Sequence, residues 1–234
     1  MSELISIVIP CYNEARGLAG TLQTIERYFT DRGLTHEIVV VNDGSTDQTV
    51  AIAEQCGTIV ISNNRNYGKG YSVRRGVLAS HGRYALITDA DLSTPIEEFA
   101  KLSAAIKTTP IVIGSRAATH AEILKAQPWY RRGLGKAGNV LVRVLLGLPI
   151  RDTQCGFKLF DLSITRPLFA RQQLSGWGFD FELLFMAKQQ GVTVKEIGVR
   201  WINDPISNVT ATGYLATLGE LLTVRWHGWR GRYR

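Results

Sequence analysis

Two aspartates separated by one residue, Asp89 and Asp91, follow a short apolar segment at 84–87. Such a segment is typical of a buried strand, so both carboxylates are expected in the loop where that strand ends. Carboxylate oxygens are the ligands that Mg²⁺ and Mn²⁺ prefer, and such an ion commonly holds a phosphate. The alternative is ordinary turn chemistry, because the segment 94–97 behind the pair has the sequence of a helix capping box.

Composition predicts one folded domain in a reducing compartment. The chain has 234 residues, of which 45% are hydrophobic and 20% charged, enough to bury a full core. Its three cysteines are scattered, without a Cys-x-x-Cys pair or a histidine cluster, which argues against a disulfide framework and a zinc site. No signal segment precedes Ile5, and the apolar stretch 140–150 is interrupted by Arg143 and too short to span a bilayer.

The charge of the chain predicts an anionic partner. Its 27 basic and 20 acidic residues leave a formal net charge of +7, which suits a nucleotide, a lipid phosphate or an anionic membrane surface. Neither basic cluster has the spacing of a nucleic-acid-binding module, so nucleic acid is not an expected partner. The clusters are Lys125, Arg131, Arg132, Lys136 and Arg143 in the centre, and Arg225, Arg230, Arg232 and Arg234 near Trp226 and Trp229 at the C-terminus.

Strands and helices alternate through the first half of the chain. Short apolar runs predict strands of a sheet that is covered on both faces, and strand-helix-strand units of this length predict a parallel sheet with right-handed crossovers. Ligands bind at the carboxyl ends of such strands. The strands are expected at 5–9, 37–41, 58–61, 84–88 and 111–113, and the helices at 18–29, 46–56, 69–80 and 95–108.

Polar loops follow four of these strands, at 10–14, 42–47, 63–70 and 89–95. Their carboxylates, amides and glycines are expected on one rim of the sheet, where they would form a pocket suited to a nucleotide. Lys69 stands between glycines at the start of a helix and can approach a phosphate. A glycine turn entering the helix is the alternative.

The second half is more basic and more helical. Residues 115–150 are expected to be helical, 154–160 to form a compact turn, 179–189 an apolar helix and 193–201 a strand. From Tyr214 onward an amphipathic helix is expected. Its leucines suit either core packing or a membrane interface, and its tryptophans and arginines favour the membrane interface.

Six motifs occur in order over nearly the whole chain. They are VIPCYNE at 8–14, VNDGS at 41–45, NYGKG at 66–70, DAD at 89–91, GSR at 114–116 and RDTQCGFKLF at 151–160. Together they resemble the inverting family 2 glycosyltransferases of GT-A fold, specifically the polyprenyl-phosphate (dolichyl-phosphate) sugar transferases. The last motif, with GFDFELL at 178–184, is more similar to the glucosyl branch than to the mannosyl branch.

The resemblance implies an α/β, GT-A fold, with a Rossmann-like, mostly parallel sheet, helices on both faces and a C-terminal amphipathic helix. It implies one domain over 1–234. Within that domain, 1–114 would bind the nucleotide, 115–212 would bind the acceptor, and 213–234 would form a basic aromatic helix that can contact a membrane.

The resemblance also assigns roles to individual residues. Asp89 and Asp91 would place Mg²⁺ or Mn²⁺ against the diphosphate of a nucleotide-sugar, and Arg116 and Arg131 would grip the acceptor phosphate and the leaving diphosphate. The base and ribose would be held by Pro10, Tyr12, Glu14 and Asp43. The chain departs from the family at Ser93, where mannosyl enzymes often carry glutamine, and at 202–209.

The expected chemistry is a direct displacement that inverts the anomeric carbon. Departure of the diphosphate needs charge stabilisation, for which Asp91, the metal and Arg131 are the candidates. A lipid phosphate acceptor is already anionic and needs positioning more than a base. A hydroxyl acceptor would require a base, for which Asp180 is the candidate, unless Asp180 is a helix N-cap.

The leading hypothesis is therefore a metal-dependent polyprenyl-phosphate hexosyltransferase that uses UDP-glucose and lies peripherally on the cytoplasmic face of a membrane. Alternatives are a GDP-mannose-dependent mannosyltransferase, a soluble transferase to a hydroxyl acceptor, and a non-catalytic nucleotide-sugar binding module.

Overall fold

The computed structural model describes residues 3–125, 129–202 and 211–233. For 125, 129–132, 134, 211, 212, 214 and 215 it describes only the backbone. The side chain of Arg131, which was predicted to contact a phosphate, therefore lies outside the described part of the chain. So do residues 203–209 of the segment 202–209, where the chain departs from the family.

A seven-stranded sheet forms the centre of the molecule, in the order β3-β2-β1-β4-β7-β5-β8. Neighbouring strands are parallel except at β7, which is antiparallel to both β4 and β5. A second sheet pairs β6 with β9. The strands are β1 (Ile5–Cys11), β2 (His36–Asn42), β3 (Ile59–Ser62), β4 (Tyr84–Ile87), β5 (Ile111–Ser115), β6 (Glu122–Lys125), β7 (Lys158–Asp161), β8 (Val194–Gly198) and β9 (Arg200–Ile202).

The central strands are apolar throughout because both faces of the sheet are covered. Successive side chains point to opposite faces, so Val8 and Val41 lie in one buried cluster while Ile7 and Val40 lie in the other. Helices α1, α2 and α4 cover one face, and α3, α5, α6, α7 and α8 cover the opposite face. They are α1 (Leu18–Thr30), α2 (Thr49–Gln55), α3 (Lys69–Ala79), α4 (Phe99–Ile106), α5 (Trp129–Leu146), α6 (Leu162–Arg171), α7 (Phe179–Gln189) and α8 (Ala211–Trp229).

The second half contains more strand than the sequence pattern predicts. The segment 154–160 does not end as a turn but enters β7, and 115–150 includes β6 before the helix α5. The expected strand at 193–201 is interrupted between β8 and β9, and β9 leaves the main sheet to pair with β6. These pairings join residues far apart in the chain, which local periodicity does not record. None of the described helices is long and apolar enough to cross a membrane.

Gly76 lies where α3 approaches the central sheet closely. A Cβ at this position would lie 2.5 Å from Val8 Cγ1 and 2.8 Å from Val41 Cγ2. We expect Gly76→Ala to lower the free energy of unfolding by about 1–3 kcal/mol through overpacking, measured by urea denaturation. Gly20→Ala in α1 is the control, since nothing lies within 4 Å of its Cβ, and it should raise stability by up to about 1 kcal/mol. An equal gain for both variants would contradict the close packing of α3.

Candidate active site

The loops that follow β1 and β2 are tied together at one edge of the sheet. The Asn13 backbone N–H donates to Ser45 Oγ at 2.9 Å, and the Asn13 side-chain oxygen accepts from the Thr46 N–H at 2.8 Å. The Asp43 N–H donates to the Cys11 carbonyl at 2.8 Å. The polar loops predicted at these strand ends therefore meet.

Asp43 holds the 63–70 loop in place. One carboxylate oxygen accepts from Asn63 Nδ2 at 2.7 Å and from the Tyr67 N–H at 3.0 Å, and the other accepts from the Gly68 N–H at 2.8 Å. Gly68 has a φ of +104°, and a Cβ there would overlap the Ser175 carbonyl oxygen, so this position favours glycine. Asp43 thus shapes the loop that presents Lys69. Its contact with a nucleotide stays a prediction.

Lys69 and Asp89 form an ion pair within the cleft. Burial disfavours the charged form of Lys69, but the charges of Asp89, Asp180 and Asp91 outweigh it, so the pKa of Lys69 is raised above its ordinary value. On its other side Asp89 lies against Gly156, where a Cβ would overlap the carboxylate. Four of the predicted site residues are therefore electrostatically coupled at one place.

Asp91 is oriented by Ser93. Its Oδ1 accepts from the Ser93 N–H at 2.8 Å and its Oδ2 accepts from the Ser93 hydroxyl at 2.9 Å. Partial burial in the cleft, together with the charge of Asp89, raises the pKa of Asp91. The capping box considered for 94–97 is not formed, because the short 3₁₀ helix after Pro95 begins without a side-chain hydrogen bond.

Asp89 and Asp91 fit a divalent ion that a substrate also helps to hold. In the described part of the chain, no group of three histidine, cysteine or acidic side chains is placed to bind a metal on its own. Mg²⁺ commonly takes only one or two carboxylates, and substrate phosphates and water supply the remaining oxygens. Asp89 Oδ1 forms an ion pair with the ammonium group of Lys69, which indicates that a cation can reach this carboxylate.

Arg116 is bound to Asp152 by a two-pronged ion pair. Its Nε donates to Oδ2 at 2.7 Å and its Nη2 donates to Oδ1 at 2.9 Å, while the Arg116 backbone N–H also donates to Oδ2 at 2.9 Å. Burial opposes the charge of each partner, but their mutual attraction raises the pKa of Arg116 and lowers that of Asp152. The guanidinium also lies 5.5 Å from the ring centre of Trp201. The binding of a phosphate by Arg116 stays a prediction.

Asp180 forms a buried ion pair with Lys158, whose Nζ lies 2.6 Å from Asp180 Oδ1. Both side chains are almost fully buried, and desolvation raises the pKa of Asp180 despite the nearby cations Lys158 and Lys69. Asp180 is not the N-cap of α7, since that position belongs to Gly178. The N-cap alternative for Asp180 is therefore wrong.

Three site residues that we did not predict lie beside those we did: Asp152, Lys158 and Trp177. Lys158 carried a signal in the sequence, because a lysine within the apolar run 157–160 requires a buried anionic partner. The sequence did not identify that partner.

The remaining predicted residues lie at the end of β1. Tyr12 is 42% exposed, whereas Pro10 and Glu14 are half-buried. Their predicted contacts with a base and ribose are not tested by any described interaction.

Comparison with known proteins groups the chain with sugar transferases. The model of the family described as glycosyl transferase family 2 matches residues 6–169. The dolichyl-phosphate beta-glucosyltransferase of Trichomonas vaginalis is 35% identical, over 94% of this chain and 72% of that protein. The Drosophila melanogaster protein of the same name is 32% identical, over 95% of this chain and 74% of that protein.

A solved structure has the same fold. The glucosyl-3-phosphoglycerate synthase of Mycobacterium tuberculosis, in complex with Mn²⁺, UDP-glucose and phosphoglyceric acid, superposes with a TM-score of 0.69 at 18% identity. The match covers 95% of this chain and 80% of that one. The predicted α/β, GT-A fold is thereby confirmed.

Single and double substitutions of the Lys158–Asp180 pair should change the free energy of unfolding by different amounts. We expect Asp180→Asn to lower the free energy of unfolding by about 3–5 kcal/mol, because it leaves the Lys158 charge buried and unpaired. The double variant Lys158→Met/Asp180→Leu should lose much less, since it removes both charges. Chemical denaturation measures both, with the exposed Asp31→Asn as the control. Losses that simply add would contradict the coupling.

Proposed function

The chain belongs to glycosyl transferase family 2, as its motifs predicted, and on that basis we propose that it transfers glucose from UDP-glucose to dolichyl phosphate or a related polyprenyl phosphate. It is a glycosyltransferase. The proposal depends most on the Asp89–Asp91 pair, which follows β4 where the polar loops of the sheet converge. Lys69 forms an ion pair with Asp89 at this place.

The donor would occupy the first half of the chain, 1–114. Pro10, Tyr12, Glu14 and Asp43 would line the base and ribose end, and Lys69 would face the diphosphate. The names of the sequence relatives support glucose as the sugar. The UDP-glucose bound by the M. tuberculosis structure supports uridine as the nucleoside.

Asp89 and Asp91 would hold Mg²⁺ or Mn²⁺ against the diphosphate. When bound, such an ion supplies Lewis-acid stabilisation of the charge on the departing diphosphate. Lys69 would contribute a further positive charge from the start of α3.

The acceptor would be a phosphate monoester that attacks the anomeric carbon directly. Its oxygen forms the new bond to C1 while the C1–O bond to the diphosphate breaks and UDP departs with the electron pair, which inverts C1. A phosphate oxygen is ionised at neutral pH and needs no general base. Asp180 is almost fully buried and paired with Lys158, which disfavours it as a base for a hydroxyl acceptor and supports a phosphate acceptor. Arg116 and Arg131, in the second half 115–212, would bind the acceptor phosphate and the diphosphate.

A lipid acceptor requires contact with a membrane, and the C-terminal segment 213–234 would provide it on the cytoplasmic face. The helix α8 ends within this segment, at Trp229. Trp229 is 72% exposed and Trp226 43% exposed. Arginine guanidinium groups lie over both rings, Arg230 at 4.0 Å from the Trp226 centre and Arg225 at 4.8 Å from that of Trp229. Aromatic rings and cations together suit the interface of an anionic membrane.

Product analysis tests the proposed reaction. The protein is incubated with Mg²⁺ or Mn²⁺, dolichyl phosphate, UDP-glucose whose glucose is uniformly ¹³C-labelled, and unlabelled GDP-mannose in competition, and mass spectrometry distinguishes the heavy glucosyl lipid from the light mannosyl lipid. We expect glucosyl phosphodolichol. A mannosyl product would instead identify GDP-mannose as the donor. Nucleotide binding without any lipid product would favour a hydroxyl acceptor or a non-catalytic module.

Asp91→Ala tests the role of the carboxylate pair. We expect turnover to fall by about 10³-fold or more, since stabilisation of the leaving diphosphate is lost. Calorimetry should show weaker binding of UDP in the presence of Mn²⁺. Glu54→Ala, an exposed carboxylate of α2, is the control and should keep wild-type activity. Full turnover in Asp91→Ala would refute the proposed role.

Vesicle flotation tests the membrane contact. Replacing Arg225 and Arg230 by glutamine should weaken partitioning onto anionic vesicles by roughly 30-fold, because each cation near the surface contributes about 1 kcal/mol. The control is Arg32→Gln, in the turn just after α1 on the opposite face of the sheet, where the guanidinium has a similar contact with the Tyr28 ring at 3.9 Å. Equal recovery of all three proteins with the vesicles would contradict a specific role for α8.

A further inference from the structure

Glu220 lies on the buried side of α8 and binds two backbone N–H groups of a neighbouring loop. Its Oε2 accepts from the Gly178 N–H at 2.7 Å and its Oε1 accepts from the Gly176 N–H at 3.2 Å. Cβ atoms at these two glycines would overlap or crowd the Glu220 side chain. The carboxylate therefore fits closely against residues 175–178, which we call the 175–178 loop.

The 175–178 loop lies beside the proposed catalytic centre. Trp177, between the two glycines that Glu220 binds, has its ring centre 5.2 Å from Lys69 Nζ. Lys69 in turn pairs with Asp89. Trp177 is 40% exposed, so its ring is accessible at the cleft.

The same loop also supports the start of α3, which carries Lys69. The Ser175 carbonyl accepts from the Tyr71 N–H at 3.1 Å, and a Cβ at Gly70 would crowd both the Gly176 carbonyl oxygen, at 2.8 Å, and Phe179 Cβ, at 2.7 Å. The backbone around Lys69 is thus positioned against the loop that Glu220 holds.

From these contacts we propose that Glu220 is a positioning residue, which orders the 175–178 loop and through it sets Trp177 and Lys69 at Asp89. The proposal rests on the proposed function, because its catalytic readout is glucosyl transfer. Glu220 itself acts from α8 and makes no direct contact with the Lys69–Asp89 pair in the described interactions. Its effect would therefore be on the geometry of the site rather than on the chemistry of a substrate.

Enzyme kinetics on a double-mutant cycle test the proposal. Glu220→Gln keeps the size of the side chain but replaces one acceptor oxygen by a donor, and Trp177→Leu removes the ring. We expect each single variant to lower kcat by about 10-fold, in the range found for residues that orient a catalytic group, and the double variant to lower it by about 10-fold rather than 100-fold. Glu54→Gln, the same substitution at an exposed carboxylate of α2, should retain wild-type kcat.

Hydrogen exchange provides a readout that does not depend on turnover. In Glu220→Gln, amides of the peptide 173–179 should exchange at least 10-fold faster, while those of β1 should be unchanged. If Glu220→Gln does not fold, Gly176→Ala displaces the loop from the same carboxylate and should give the same kinetic result. Wild-type kcat in folded Glu220→Gln, additive losses in the double variant, or unchanged exchange at 173–179 would each overturn the proposal. Absence of glucosyl transfer in the wild-type protein would instead refute the proposed function and leave the exchange result to decide the role of Glu220.

Discussion

The pairing of buried and half-buried carboxylates with cations is the constraint on which the cleft depends. Asp89, Asp152 and Asp180 each lie against a lysine or arginine that is distant in the chain. A carboxylate removed from water is tolerated only when its charge is compensated, so these pairs fix the loops after β4 and β5 against the start of α3 and the strand β7. The charges of these three carboxylates are thereby compensated before any substrate enters, and the proposed metal-bound diphosphate would replace some of these contacts.

Glycine permits the close approach that this arrangement requires. The pairing of Lys69 with Asp89 brings the start of α3, the loop after β4 and the turn at Gly156 to one point, and a side chain at Gly156 would displace the Asp89 carboxylate. Gly68 contributes a positive φ as well as room for the 175–178 loop. Gly68 and Gly156 are therefore explained by packing around a charged centre and not by loop flexibility.

Helix α8 has two sides with different roles. Leu221 and Val224 are buried in the core and Glu220 binds the 175–178 loop, whereas Leu218, Leu222 and Trp229 are exposed. With 3.6 residues per turn, these two groups fall on opposite sides of the helix. A single helix thus carries both the surface proposed to meet lipid and the carboxylate that binds the 175–178 loop.

The sequence alone determined the alternation of strands and helices in the first half, the loops that carry Asp43, Lys69, Asp89 and Asp91, and the family, because buried strands and motif residues leave a local signal. Only the tertiary structure decided that β7 runs antiparallel between β4 and β5, that β9 pairs with β6, and that Lys158 belongs to Asp180 and Asp152 to Arg116. Local periodicity records which residues are buried, but the choice of a distant partner depends on how strands and charges are brought together when the whole chain packs.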